Sequence, residues 1–196
     1  QPIIFTFRQH PRQVLTGECP PMLSTLAERE ELLKTHAEVK LLDFTLVQHL
    51  TAEEFMHFLH KQEEVEVLLM GYDHRFGSDC LKGFSEYEKV ARRVGLCVER
   101  AHECLVEALP VSSTRIRRLL DEAQIRQVNR LLGYEYSLTG IVEHGNGIGN
   151  QIGFPTANIQ VDTTKHLPAS GVYTAHTQID NVVYSALVNI GHNPTV

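Results

Sequence analysis

The order of hydrophobic and polar positions in residues 1–133 predicts strands that alternate with helices. Apolar, β-rich runs at 3–7, 41–46 and 65–70 have the character of strands. Residues from about 26 to 36 and from about 52 to 61 have the spacing of helices. This alternation is typical of an α/β fold with a parallel sheet.

Local signals mark where the helices begin and end. A Ser or Thr followed three residues later by Glu forms a capping box, which satisfies free amide donors at the first turn. Gly95 and Gly133 suit helix ends, where a left-handed residue is favoured. The capping-box pairs are Thr25 with Glu28, Thr51 with Glu54, and Ser85 with Glu88.

After residue 133 the pattern changes to β-structure. Residues 137–142, 172–179 and 182–190 are strand-like, and Asp180-Asn181 between the last two is typical of a hairpin turn. We therefore predict an N-terminal domain over 1–121, a helical connector over 122–136 and a second domain over 137–196.

Charge supports this division and limits the class of protein. The 196 residues carry 18 Lys and Arg against 24 Asp and Glu, and Lys165 is the only basic residue after 133. No run approaches the roughly 18 apolar residues that span a bilayer, and the net charge of -6 argues against a nucleic-acid partner. The cysteines form no C-x-x-C pair, so we expect reduced cytoplasmic thiols. They are Cys19, Cys80, Cys97 and Cys104.

The first candidate site is the segment GYDHRFG at 71–77, which directly follows a predicted strand. Open α/β sheets bind ligands at the carboxyl ends of their strands. Asp73, His74 and Arg75 offer an acceptor, a titratable ring and a cation, which suits a nucleotide. A polar turn with a surface Asp–Arg pair explains the same residues equally well.

The second candidate is VSSTRIRR at 111–118, where three hydroxyl residues precede a helix and arginines follow. Free amides at a helix start, together with hydroxyl and guanidinium donors, can hold phosphate. Residues 112–130 carry five Arg against Asp121 and Glu122, a local excess of positive charge. The alternative is an ordinary cap on a basic helix.

The third candidate is the glycine-rich segment 140–158, which ends in GFPTAN. Its glycines allow close approach of the backbone to a ligand, and Pro155 stiffens the exit. In an extended segment Thr156 and Asn158 point the same way and present two oxygen ligands suited to magnesium and phosphate. A glycine-rich turn between strands remains the alternative.

Taken together and in this order, the three segments resemble the bacterial bifunctional riboflavin kinase and FMN adenylyltransferase family, often called FAD synthetase. The first part is similar to the adenylyltransferase in Thr6-Phe7, His10-Pro11, GYDHRFG and VSSTRIR. The second is similar to the kinase in GFPTAN, in GVY at 171–173 and in NIGHNPT at 189–195.

The resemblance implies a Rossmann-like nucleotidyltransferase domain followed by a riboflavin-kinase β-barrel domain, of which this sequence holds a part. It implies phosphorylation of riboflavin to FMN by ATP, then adenylylation of FMN to FAD, both with Mg²⁺. The expected partners are small molecules, with neither nucleic acid nor a membrane among them. For the adenylyltransferase the implied ATP- and FMN-binding residues are His10, Gly71, Asp73, Arg75, Phe76, Gly77, Ser112, Ser113, Thr114 and Arg117. For the kinase they are Gly147, Gly149, Gly153, Pro155, Thr156, Asn158 and Asn189, with Thr156 and Asn158 as metal ligands.

Two motifs of the family are missing from these residues. One is the H-x-G-H segment that precedes the adenylyltransferase residues, and the other is the Glu base that follows N-P-T in the kinase. We expect both to lie outside this sequence, and the 196 residues alone to be inactive. In the alternative, a non-catalytic flavin- or nucleotide-binding regulator has kept the fold and lost the chemistry.

Overall fold

Strands and helices alternate through the first hundred residues, as the hydrophobic pattern predicts. The structure, a computed structural model, describes residues 1–144, 153 and 156–191. The first elements are β1 (Ile3–Phe7), α1 (Pro11–Thr16), α2 (Leu26–Lys34), β2 (Glu38–Leu42), α3 (Phe44–Val47), α4 (Ala52–Gln62), β3 (Val67–Met70), α5 (Phe84–Val94) and β4 (Cys97–Arg100). They are followed by β5 (Leu105–Val106), β6 (Leu109–Pro110), α6 (Ser113–Asp121), α7 (Ile125–Leu132), β7 (Gly140–Glu143), β8 (Asn158–Val161), β9 (Gly171–Ile179) and β10 (Val182–Ile190).

Contacts along the chain define two compact units. The first combines Gln1–Glu18 with Ala37–Leu105, and the second combines Cys19–His36 with Val106–Val196. The helix α2 therefore belongs with the C-terminal part, which no local signal in the sequence indicates. The domain boundaries drawn from composition stay a prediction.

The first unit contains the predicted parallel pairing. β1 pairs with β2, and β3 pairs with β4 so that Met70 lies opposite Arg100. Parallel strands need a long crossover between them, and α5 is the crossover from β3 to β4. The core packed against β3 and β4 is formed by Ala52, Met56, Met70, Tyr87, Val90, Ala91 and Leu96.

One predicted strand is displaced, because an aspartate ends it early. The expected run 41–46 is replaced by β2, which ends at Leu42, and by the short helix α3. Asp43 is the N-cap of α3, and its Oδ1 accepts a hydrogen bond from the Thr45 backbone N–H at 2.9 Å. A side chain that caps the next turn competes with continuation of the strand.

Two of the three predicted capping boxes are confirmed, at Thr25 with Glu28 and at Thr51 with Glu54. The third is wrong: α5 begins at Phe84 with Gly83 as its N-cap, and Gly83 offers no side-chain cap. Glu86 instead accepts from the Lys82 backbone N–H at 2.8 Å, and the N-cap lies two residues before the predicted one. The predicted helix ends at Gly95 and Gly133 are confirmed, with φ of 85° and 78°.

The second unit contains a helical pair and two antiparallel strand pairs. α6 and α7 bury Ile116, Leu119, Leu120, Val128 and Leu131 in a common core. β7 pairs with β8, and β9 pairs with β10 through the predicted turn, where Asp180 and Asn181 have φ of 48° and 65°. The predicted strand at 137 begins at Gly140, and closure of these pairs into a barrel stays a prediction.

A buried ion pair joins α2 to the segment after β8 within the second unit. Lys165 Nζ lies 2.6 Å from Glu28 Oε2, and their side chains are 1% and 7% exposed. Lys165 also donates to the Leu23 carbonyl and lies over the Tyr136 ring. Lys165, the one Lys or Arg after residue 133, is therefore a buried structural cation.

None of the four cysteines, all of which lie in the described part of the chain, is in a disulfide. Among the described residues, no helix is both long and apolar enough to cross a membrane.

Candidate functional sites

The GYDHRFG loop lies at the carboxyl end of β3 and lines a cavity of about 400 Å³. Gly71, Asp73, His74 and Arg75 are on its wall, so most of the predicted loop residues are brought together. The size falls in the range of small-ligand sites, which is roughly 300 to 1,000 Å³. The position agrees with the rule that predicted it, since β3 is paired in parallel with β4.

Two further cations line this cavity and were missed by the sequence reasoning. They are Lys82, just before α5, and Arg100, the last residue of β4. With Arg75 they outnumber Asp73, so the wall carries an excess of positive charge that favours an anionic ligand. The missed signal was the strand pairing, because Arg100 lies opposite Met70 and so reaches the same edge as the loop.

Aromatic rings complete the wall of the cavity. Tyr72, Phe84 and Tyr87 line it, and the Arg100 guanidinium lies 5.7 Å from the Phe84 ring centroid. A hydrogen bond with Glu103 raises the pKa of Tyr72, so its phenol stays neutral at physiological pH. Rings next to cations are a combination that suits a flat, phosphorylated ligand.

Phe76 and Gly77, predicted in the same loop, do not line the cavity. Phe76 packs against Phe55 and Tyr87, with ring centroids 5.3 and 4.7 Å apart. Gly77 has a φ of 91°, and a Cβ there would lie 2.5 Å from the Ala52 backbone nitrogen. These two residues attach the end of the loop to the core and to the start of α4.

His10 is the N-cap of α1, beyond the end of β1. Its Nδ1 accepts a hydrogen bond from the Arg12 backbone N–H at 3.1 Å. This contact defines a capping role for His10, and its predicted role in ligand binding stays a prediction.

In the second unit, the hydroxyl residues of the VSSTRIR segment begin α6 as predicted. Ser112 is the N-cap and accepts from the Arg115 backbone N–H at 3.3 Å. Ser113 and Thr114 are exposed in the first turn, where amide donors are free to bind an anion. Arg117 donates through Nε to the Pro21 carbonyl at 2.6 Å, so one of its donors is already used in the fold.

The glycine-rich segment is described only in part. Gly147, Gly149 and Pro155 lie outside the described residues, and Gly153 has a φ of 79°. Thr156 and Asn158 are exposed, and Asn158 begins β8 directly opposite Glu143 of β7. Opposite residues on an antiparallel pair share a face, so the Asn158 amide oxygen and the Glu143 carboxylate oxygens are available near one another.

These oxygen donors fit the magnesium ion that the family resemblance implies, because Mg²⁺ prefers hard oxygen ligands. Asn189 is exposed in β10, opposite Val172 of β9. Its predicted role in binding stays a prediction.

Comparison with known proteins identifies two families in one chain. Residues 1–115 match the FAD synthetase family, and residues 132–196 match the riboflavin kinase family. The protein therefore belongs to the FAD synthetase family, and it carries a riboflavin-kinase segment behind the first match. These matches confirm the predicted fold class, an α/β nucleotidyltransferase-like domain followed by a riboflavin-kinase domain.

Individual relatives agree with this assignment. The bifunctional riboflavin kinase/FMN adenylyltransferase of Pseudomonas fluorescens is 32% identical over 98% of this chain and 63% of its own. The protein of the same description from Haemophilus influenzae is 30% identical, and the match covers 98% of this chain and 64% of that protein. This chain spans a little under two thirds of the length of these curated relatives.

A solved structure has a similar fold. It is described as a macrolide-efflux protein from Streptococcus pneumoniae, with a TM-score of 0.84 and 31% identity. The match covers 98% of this chain and 64% of that one. The similarity therefore extends over nearly all of the present residues.

Proposed function

We propose that the intact protein performs two consecutive steps of FAD biosynthesis. In the first, ATP phosphorylates riboflavin to FMN and leaves ADP. In the second, the FMN phosphate attacks the α-phosphorus of another ATP, giving FAD and pyrophosphate. The observation that carries this proposal is the succession of FAD synthetase and riboflavin kinase matches along one chain.

The cavity beside GYDHRFG supports the second step. FMN and ATP each combine a flat ring system with phosphate, and the wall combines aromatic rings with Arg75, Lys82 and Arg100. Cations such as Arg75 and Lys82, when fixed near a phosphoryl group, stabilise the charge that develops during its transfer. We assign Gly71, Asp73 and Arg75 to direct ligand contact on this basis.

The start of α6 supports the binding of ATP phosphates. The Ser112 Oγ accepts the cap hydrogen bond, and the neighbouring Ser113 and Thr114 are exposed hydroxyl donors. Arg117 keeps its terminal guanidinium nitrogens for a phosphate oxygen while Nε holds the Pro21 carbonyl. We assign His10, Phe76 and Gly77 to support of the adenylyltransferase site, because each makes a structural contact.

The kinase step is assigned to the second unit. Thr156 and Asn158 would hold Mg²⁺, with the glycines 147, 149 and 153, Pro155 and Asn189 around ATP and the flavin. Bound magnesium would offset phosphate charge during transfer. The alternative of a non-catalytic regulator is not favoured, since the reported curated relatives are described as bifunctional enzymes.

The same proposal places the protein in the cytoplasm, where riboflavin and ATP are available, with small molecules rather than nucleic acid as its partners.

The test is to incubate the intact protein with riboflavin, ATP and magnesium and to separate the flavins by chromatography. FMN should appear first and FAD should follow with one pyrophosphate for each FAD. Supplied FMN should give FAD directly, and a chelator should stop both steps. A protein that binds flavin but forms neither product would contradict the proposal.

A further inference from the structure

The 71–77 loop is held at both ends by side chains that lie outside it. At its beginning, Arg100 donates from Nε and Nη2 to the Tyr72 carbonyl, at 3.0 and 2.5 Å. The same guanidinium lies over the Phe84 ring. Arg100 thus ties the loop after β3 to the end of β4.

At the other end of the loop, Tyr87 of α5 holds the backbone of Phe76. Its hydroxyl donates to the Phe76 carbonyl at 2.7 Å and accepts from the Phe76 N–H at 2.9 Å. Tyr87 is 1% exposed, and burial raises the pKa of its phenol, so the hydroxyl remains a donor at physiological pH.

The residues between these two anchors are the ones that face the cavity. Asp73, His74 and Arg75 are exposed, and within the loop the His74 N–H donates to the Gly71 carbonyl at 3.1 Å. Their direction therefore depends on how the peptide groups of Tyr72 and Phe76 are held. Misplacement of a ligand-contacting group by about 1 Å can cost about 100-fold in rate.

We propose that Arg100 and Tyr87 are positioning residues for adenylyl transfer, which fix the two ends of the 71–77 loop and so aim Asp73 and Arg75 at the ligand. This inference rests on the proposed function for its kinetic part. The anchoring itself is independent of the function.

The side-chain chemistry explains why these residue types are needed. Two guanidinium nitrogens converge on one carbonyl oxygen, whereas a lysine at position 100 would supply a single ammonium without a planar fork. A phenylalanine at position 87 would keep the ring against Phe76 but lose both hydrogen bonds. Arg100→Lys and Tyr87→Phe are therefore the least disruptive changes that remove each anchor.

The test combines loop dynamics with kinetics in the intact protein. Hydrogen–deuterium exchange of peptides covering 71–77 is compared with steady-state formation of FAD from FMN and of FMN from riboflavin. Arg93→Lys is the control for Arg100, because Arg93 forms an exposed ion pair with Glu53 at 2.6 Å in the same unit. Tyr136→Phe is the control for Tyr87, because it also removes a phenol-to-carbonyl hydrogen bond, to His166.

We expect faster exchange in the loop for both anchor variants and a fall of 10- to 100-fold in kcat/KM for FAD formation. FMN formation should stay within about twofold of the parental rate, and the control variants should keep both activities. The fall in kcat/KM for FAD formation should be smaller in the double variant than the product of the two single falls, because both side chains act through the same loop.

Three results would overturn the inference. Unchanged exchange would show that the side chains do not hold the loop. Faster exchange with parental FAD formation would show that the loop geometry does not matter for transfer, and a parallel loss of both activities would indicate general destabilisation. If the parental protein made no FAD, the proposed function would fail, and the exchange data alone would decide whether the anchors exist.

Discussion

Replacing Glu28 with Gln would leave Lys165 buried and without its carboxylate. In the structure the two groups are 2.6 Å apart, and both side chains are almost completely buried. Removal of one partner from a buried ion pair typically costs about 3 to 5 kcal/mol. For a chain of this length, that loss corresponds to a decrease in melting temperature of about 6 to 20 °C.

The surroundings of the pair place Glu28→Gln near the lower end of that range. Lys165 keeps the Leu23 carbonyl at 2.8 Å and the Tyr136 ring, so its charge is not left wholly uncompensated. In Lys165→Met, Glu28 keeps the backbone donors of Thr25 and Thr139 at 3.0 and 3.1 Å. We therefore expect either single change to lower the free energy of unfolding by about 3 kcal/mol.

The double variant Glu28→Gln/Lys165→Met provides the decisive comparison. It leaves no buried charge, so its cost should be smaller than the sum of the single costs by about 1 to 3 kcal/mol. The assay is urea unfolding of the intact protein followed by circular dichroism, with the parental protein and all three variants in parallel. Glu30→Gln on the same helix is the control, because its pair with Lys34 is at the surface and worth about 0.5 kcal/mol.

The dependence on pH gives a second measurement on the same pair. Burial opposes ionisation of Glu28, but the hydrogen bonds from Lys165 and Thr25 outweigh it and hold the pKa below the ordinary value of 4.5. A carboxylate whose pKa is lowered by folding stabilises the folded state above pH 4.5. This stabilisation is lost as the pH falls through the folded-state pKa. The stability difference between parental protein and Glu28→Gln should therefore shrink below pH 4.5.

Two outcomes would refute this account of the pair. One is that Glu28→Gln costs no more than Glu30→Gln. The other is that the two single costs add in the double variant, which would mean that each residue acts through packing alone.

Three further changes test other parts of the structure. Gly77→Ala should destabilise the first unit by more than Gly17→Ala. Both glycines have a positive φ, which costs a residue with a Cβ about 1 to 2 kcal/mol, but of the two only Gly77 would bring that Cβ against backbone atoms. Equal decreases in melting temperature for the two variants would contradict this. Ser113→Ala should reduce FAD formation by up to about 100-fold while FMN formation persists, since one well-placed donor is worth about 3 kcal/mol in the transition state. Thr156→Ala should abolish riboflavin phosphorylation, yet supplied FMN should still give FAD. FMN formation at the parental rate would instead favour the interpretation of this segment as a simple turn.

Short-range features of this protein were predictable because they depend on neighbouring residues. The capping boxes at Thr25 and Thr51 need only a hydroxyl and a Glu three positions later, and the hairpin at Asp180-Asn181 needs only two residues that tolerate positive φ. The wrong start at Ser85 shows the limit of this reasoning. A competing local bond, from Lys82 to Glu86, stabilised an earlier first turn.

The candidate site was predictable in its position and not in its full composition. A polar loop after an apolar strand located the cavity, because strand ends collect at one edge of a parallel sheet. Finding Arg100 required the pairing of β3 with β4, which brings residues about 30 positions apart to that edge. Finding Lys82 required the path of the chain between the loop and α5. Likewise, only the fold shows that Gly77 is needed beside Ala52 and that Phe76 belongs to the core.

The sequence by itself determined much of the alternation of elements, several of their ends, the loops that carry the chemistry and, through its motifs, the family. Only the tertiary structure decided the partners of buried and anchoring groups, as with Lys165 and Glu28, which are 137 positions apart. The physical reason is the distance along the chain over which each kind of interaction finds its partner. Caps and turns are satisfied within one turn of chain, whereas a buried charge must find its counter-ion wherever packing brings the chain together.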